Sequence, residues 1–177
     1  MAVTLSAGTA KRSITPEKTD RILVFGRLPE SVVHDISARC LVLNDGAARF
    51  VIVTYDLNCL DVATPILRER LEKELGIPPS HFVPLATHNH NAPIQIVPDN
   101  FDYGRWLADT IFDMIQEAIA NEAGPVELKF GTGSADWVRS VGNCPTDYDL
   151  QVLAVYRDGV PASMLYTHPV HPLMAAP

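Results

Sequence analysis

Between residues 50 and 122 the spacing of the apolar residues changes from one segment to the next, and that alternation narrows the folds open to the chain. Residues 50–55 read as a strand in which Val51, Ile52 and Val53 are apolar on both faces, as in a sheet covered from both sides. From Asp61 the period becomes helical. Ile66, Leu67, Leu71 and Leu75 share one stripe, while the charged residues from Arg68 to Glu74 take the other. If the helix starts late, Thr64-Pro65 offers a cap and a first-turn proline, and Gly76 offers a stop. Pro78 and Pro79 turn the chain into a strand over 82–87. A second amphipathic helix over about 103–122 turns Leu107, Ile111, Ile115, Ala118 and Ile119 inward. Strand, helix, strand, helix, strand is the pattern of an α/β fold, in which ligands collect at the carboxyl ends of strands.

The flanking segments add strands over 3–15 and 36–43, the latter closing at Asn44-Asp45-Gly46 so that 40–55 forms a hairpin. The last third reads as strands over 126–133, 150–156 and 162–167, with Asp158-Gly159 as a hairpin turn. No internal repeat or linker divides the chain, so residues 1–177 are expected to form a single domain of mixed β-sheets layered with amphipathic helices.

A hydrophobic fraction of 47% and a charged fraction of 20% describe a globular chain. The formal net charge of -7, with no Lys/Arg cluster, argues against nucleic acid or an anionic membrane surface as partner. No apolar run approaches the roughly 18 residues a membrane span needs. The opening residues lack the positive start and apolar stretch of a secretory signal, and a cytoplasmic location is expected. Cys40, Cys59 and Cys144 form no Cys-x-x-Cys pair, so neither a disulfide framework nor a thiolate metal site is indicated. Cys40 reads as a small buried residue.

Chemistry concentrates in two histidine clusters, each directly after a strand. His88 and His90 stand two residues apart where the strand over 82–87 ends, and in extended chain residues i and i+2 share a face. His168 and His171 follow the last strand. Neutral imidazole is a common zinc ligand, so the two clusters are expected to meet across one face of a mixed sheet and share an ion. Asp56, at the end of the third strand, either caps a turn near Leu57 or serves such a site.

These residues, in this order, resemble the N-terminal part of the neutral/alkaline non-lysosomal ceramidases, a family of zinc amidohydrolases. Ala7-Gly8-Thr9 through Ile14-Thr15-Pro16 resembles the family opening, and Val33-His34-Asp35 followed by 38–43 resembles its histidine loop and the next strand. Val53-Thr54-Tyr55-Asp56 resembles a strand ending in aspartate, and His88-Asn89-His90-Asn91-Ala92-Pro93 the family's His-Thr-His-Ser-Gly-Pro loop. Arg139 stands where the family has an arginine, and Pro169-Val170-His171 resembles the strand end bearing the next metal histidine.

The resemblance implies that His88 and His171 hold Zn2+, with His168 as the alternative in another register. It implies that His90 bonds substrate or the tetrahedral intermediate, and that Arg139 anchors it or stabilises an oxyanion. His34 and Asp56 become candidates for orienting a ligand imidazole or adding a ligand. The implied activity is hydrolysis of an amide or related acyl bond in a small-molecule substrate by metal-activated water. Asn91, Ala92 and Val138 depart from the family's serine, glycine and asparagine, so lipid specificity does not carry over. The family's remaining ligands, a glutamate and a tyrosine, belong to a C-terminal portion outside the resemblance. The alternative is therefore a non-catalytic or incomplete metal-binding domain, and a homo-oligomer or a further C-terminal portion is expected to complete the site. The last strand should then present an uncovered apolar edge.

Overall fold

The computed structural model describes residues 4–18, 21–140 and 144–171. Strands β1 (Ser6–Ser13), β2 (Ser37–Asn44), β3 (Arg49–Tyr55) and β4 (Phe82–Ala86) form one sheet in that order. The first three are antiparallel neighbours. β4 lies parallel to β3 because helix α1 (Ala63–Leu75) carries the chain back between them. After helix α2 (Phe101–Ala120), β5 (Glu127–Ser134), β6 (Asp149–Arg157) and β7 (Val160–Thr167) form a second sheet, antiparallel throughout.

The register explains the core. Ala10, Cys40 and Val53 share one row across the sheet, with Gly8, Val42 and Val51 in the next and Phe82 beyond Val51. This face packs against Leu67 and Leu71 of α1 and Leu107, Ile111 and Ile115 of α2. Each fully buried Leu or Ile stabilises by about 1.5–3 kcal/mol relative to exposure, so this layer dominates the stability. Leu41 and Ile52, paired on the opposite face, meet Ala7, Val126 and Val155. β3 is thus covered from both sides, as its continuous apolar run requires.

The helices lie close to where their period puts them. Gly76 ends α1 with φ 66°, its N–H donating to the Glu72 carbonyl at 3.2 Å while the Ile77 N–H donates to the Leu71 carbonyl at 3.0 Å. Thr64 does not cap this helix: it lies within the first turn, after Val62 at the cap position. α2 starts two residues earlier than its apolar stripe suggests, at Phe101. At the hairpin turn Asp158 and Gly159 both have positive φ, 52° and 77°, the geometry of a type I′ turn. Val3, expected in the first strand, lies outside the described residues.

The clusters were expected to share one mixed sheet, but the strands divide into two sheets. His88 follows β4 of the first, and His168 and His171 follow β7 of the second. The second sheet is sparsely covered: β5 is exposed along its length, and Met164 and Tyr166 of β7 are exposed where an uncovered edge was expected. No described helix is long and apolar enough to cross a membrane.

Gly8 is where β1 and α2 come closest, and a Cβ there would overlap the Ala118 carbonyl oxygen. Replacing Gly8 by Ala should therefore destabilise the protein by about 3 kcal/mol or more, because the obstruction is backbone and cannot rotate away. Urea unfolding reads this directly, and a midpoint unchanged from wild type would contradict the close approach.

Candidate metal centre

The parallel pairing of β3 and β4 continues past the ends of both strands. The Thr87 N–H donates to the Tyr55 carbonyl at 2.9 Å, and the Asn89 N–H to the Leu57 carbonyl at 3.1 Å. Between them His88 takes φ 62°, a left-handed conformation costing a β-carbon residue on the order of 1 kcal/mol. Its Nδ1 lies 2.9 Å from the Asn58 carbonyl oxygen. A carbonyl only accepts, so Nδ1 carries the proton and Nε2 keeps its lone pair. Hydrogen bonds of this kind orient the imidazole ligands of metal sites.

Three lone-pair-bearing rings then converge. His90 Nε2 lies 3.3 Å from His88 Nε2, and His171 Nε2 lies 2.8 Å from His90 Nε2. Histidines 88, 90 and 171 are the only group among the described residues with metal-ligand spacing, their ligand atoms all within 4.8 Å of one another. A tetrahedral zinc about 2.0–2.1 Å from each nitrogen spaces those nitrogens about 3.3–3.4 Å apart. The His88–His90 pair already has that spacing. The His90–His171 pair has the shorter spacing of an N–H···N hydrogen bond and needs to open by about 0.5 Å. The residues present fit a metal ion, and they offer it three neutral nitrogens. Desolvation, followed by the neighbouring His171 and His88 rings, holds the His90 pKa below the usual imidazole value, which favours the neutral form a ligand needs.

The sequence placed His88 and His171 together as ligands, and they do meet. It set His90 in the pocket beside them, and His90 Nε2 lies between the other two rings. The route differs as well, since His88 and His90 converge through a left-handed turn and not by the alternation of an extended strand.

The remaining candidates stand in other surroundings. Asp56 Oδ2 accepts from the Ser37 N–H and hydroxyl at 3.1 and 3.0 Å, with Arg39 at 3.7 Å, tying the end of β3 to the start of β2. No carboxylate among the described residues joins the histidine group. His168 Nδ1 faces the Asp149 carbonyl at 3.4 Å, with Trp137 edge-on to the ring, so it does not join the three. The exposed Arg139 donates to the Asp136 and Val138 carbonyls of its own loop, both at 2.9 Å. His34 is exposed in a bend before β2. Cys40 is buried, and burial pushes its thiol up to about 12, as suits a packing residue. All three cysteines are free.

Two contributors were missed by reading the sequence. Phe25 lays its ring parallel to His90, with centroids 4.7 Å apart and planes 9° apart. Asn100, fully buried, accepts from the Leu23 N–H at 2.8 Å and donates to the Leu23 and Ile94 carbonyls at 2.7 and 2.8 Å. It joins the segment bearing Phe25 to the loop that follows His90. A lone Asn before a helix signals a cap, and nothing in its neighbours announces this second use.

No protein-family model and no curated protein matches the chain. Among solved structures it resembles the neutral ceramidase from Pseudomonas aeruginosa, with a TM-score of 0.78 at 21% identity over 97% of this chain and 32% of that one. It also resembles a ceramidase complexed with C2, with a TM-score of 0.79 at 20% identity over 96% of this chain and 32% of that one. The chain therefore has a ceramidase-like α/β fold. It spans about a third of the length of these two structures, at 32% of each.

Replacing Asn100 by Ala leaves the Leu23 N–H and the Ile94 carbonyl without their partner, and the Leu23 carbonyl with only the Ile94 N–H at 3.4 Å. The expected loss is about 2–4 kcal/mol in denaturant unfolding. A loss below about 1 kcal/mol would show that water replaces these bonds at little cost.

Proposed function

We propose that this chain is the histidine-bearing part of a zinc-dependent hydrolase of an amide or related acyl bond. The observation that carries the reading is the convergence of three imidazole Nε2 atoms, with the His88 proton fixed on Nδ1 by the Asn58 carbonyl. Likeness in fold to two ceramidases supports the reaction class.

His88, His90 and His171 would hold the ion. Zinc in such a site supplies Lewis acidity and a water activated near neutral pH. The neutral ligand set leaves its positive charge uncompensated by the protein, which favours acidification of water and polarisation of a carbonyl. His88 gives a fixed lone pair, and His90 Nε2, between the other two rings, would hold the ion only when it carries no proton. A second reading, a metal-binding domain without catalysis, is favoured by the absence of a carboxylate among the described members of the group. Metal content and hydrolysis separate the two.

Purified protein should retain about one zinc per chain after gel filtration. His171→Ala should lower zinc affinity by more than the roughly 10–100-fold that loss of a ligand's supporting hydrogen bond costs. Protein that stays metal-free in micromolar zinc would sink the metal reading. Release of acid from an acyl-amide panel, abolished by His88→Ala, separates the hydrolase from the passive binder.

Acid should expel the ion. Binding requires neutral rings, so affinity rises with pH and falls as pH drops through and below the ordinary histidine value of about 6.5. With the His90 pKa lowered, its own protonation comes at the lower end of that range. A zinc titration at stepped pH checks this, and an affinity independent of pH would contradict imidazole ligation.

A further inference from the structure

The Phe25 turn has a backbone that its sequence does not favour. Val24 and Arg27 pair through both backbone groups, the Val24 N–H at 2.8 Å from the Arg27 carbonyl and the Arg27 N–H at 3.1 Å from the Val24 carbonyl. The two residues between have φ 48° at Phe25 and 76° at Gly26, so both central positions are left-handed. Two-residue turns of this kind favour Asn-Gly, because asparagine adopts positive φ more cheaply than a bulky aromatic. Burial does not explain the aromatic either, since Phe25 is 49% exposed. Its specific contact is the parallel stack on His90.

We propose that Phe25 is a positioning residue for the histidine centre: its ring, held in place by the left-handed turn, fixes the plane of His90 so that Nε2 points at His88 and His171. The inference rests on the proposed metal reading and adds a residue to it. The turn is braced, because Asn100 bonds both backbone groups of Leu23, two residues before Phe25. A braced ring at stacking distance covers one face of the imidazole and restricts its rotation. His88 has a backbone carbonyl to fix its orientation. The described contacts of His90 Nε2 are only to the other two imidazoles, so the stack supplies the external reference that His90 otherwise lacks.

The test uses the full chain with Phe25→Asn and Phe25→Trp. Asparagine suits the turn, so Phe25→Asn should melt at or above the wild-type temperature while losing about tenfold in zinc affinity. Phe25→Trp keeps the stack and should restore affinity to the wild-type range. In metal-free protein, NMR of the His90 ring should show one fixed ring orientation in wild type and Phe25→Trp, and rotational averaging in Phe25→Asn. Wild-type zinc affinity in Phe25→Asn, or affinity lost in both variants in step with melting temperature, would overturn the proposal. If wild type itself holds no zinc, the metal reading fails separately, and the metal-free spectra decide the role of Phe25. A fixed His90 ring orientation retained in Phe25→Asn then counts against it.

Discussion

The parallel pairing of β3 with β4 is the constraint on which the rest of the site depends. Antiparallel neighbours bring opposite strand ends together, whereas a parallel pair brings two carboxyl ends to one place and leaves both exit loops side by side. Here the exits stay paired through Thr87 with Tyr55 and Asn89 with Leu57. That pairing sets His88 against Asn58, whose backbone carbonyl selects the tautomer. α1 makes the crossover possible, and its buried Leu67 and Leu71 tie it to the same core as Val51 and Val53. Packing far from the histidines therefore reaches the chemistry through a short series of backbone bonds.

The third imidazole comes from the other sheet, which makes the joint between the sheets a determinant of the site. That joint is small in side-chain terms: Ala7, Leu41 and Val155 are its buried members. Arg157 adds a reach from β6 to the Ala7 and Ala123 carbonyls, both at 3.3 Å. Farther along, the sheets part over a cleft of about 320 Å³ between Thr9, Arg39 and Ile52 on one side and Ser163 to Leu165 on the other. His171 thus stands on the more lightly fastened layer, and His88 and His90 on the more deeply packed one.

Local periodicity made the elements legible because each stripe or alternation is a property of neighbouring residues. Leu107, Ile111 and Ile115 are buried where the 3.6 period puts them, and β3 is covered on both faces, Val51 and Val53 on one and the partly buried Ile52 on the other. The division into two sheets was not legible, since the alternation along β7 is the same whichever strands it pairs with. The histidine loop was legible as chemistry and misread as geometry: the left-handed φ of His88 has no signature in Ala86-Thr87-His88. Asn58 acts through a backbone carbonyl that any residue type provides, so its identity carried no signal. Phe25 and Asn100 escaped for a related reason, as each performs a task usually signalled by other residues or read in another way.

The absence of a carboxylate from the described cluster bears on how the three rings stay together. Protonated imidazoles repel one another at these spacings, and no negative charge within the group offsets that repulsion. Neutral rings avoid it, and the short His90–His171 contact lets one ring donate to the lone pair of the other. Such a pair satisfies itself only partly, because every Nε2 lone pair still directed at the common centre lacks a donor. A cation relieves that deficit in a way a proton shared between two rings cannot, since it accepts from all three at once. An arrangement of neutral rings around one point, with the His88 tautomer fixed, is therefore better matched to a metal ion than to the hydrogen bonds the rings make among themselves.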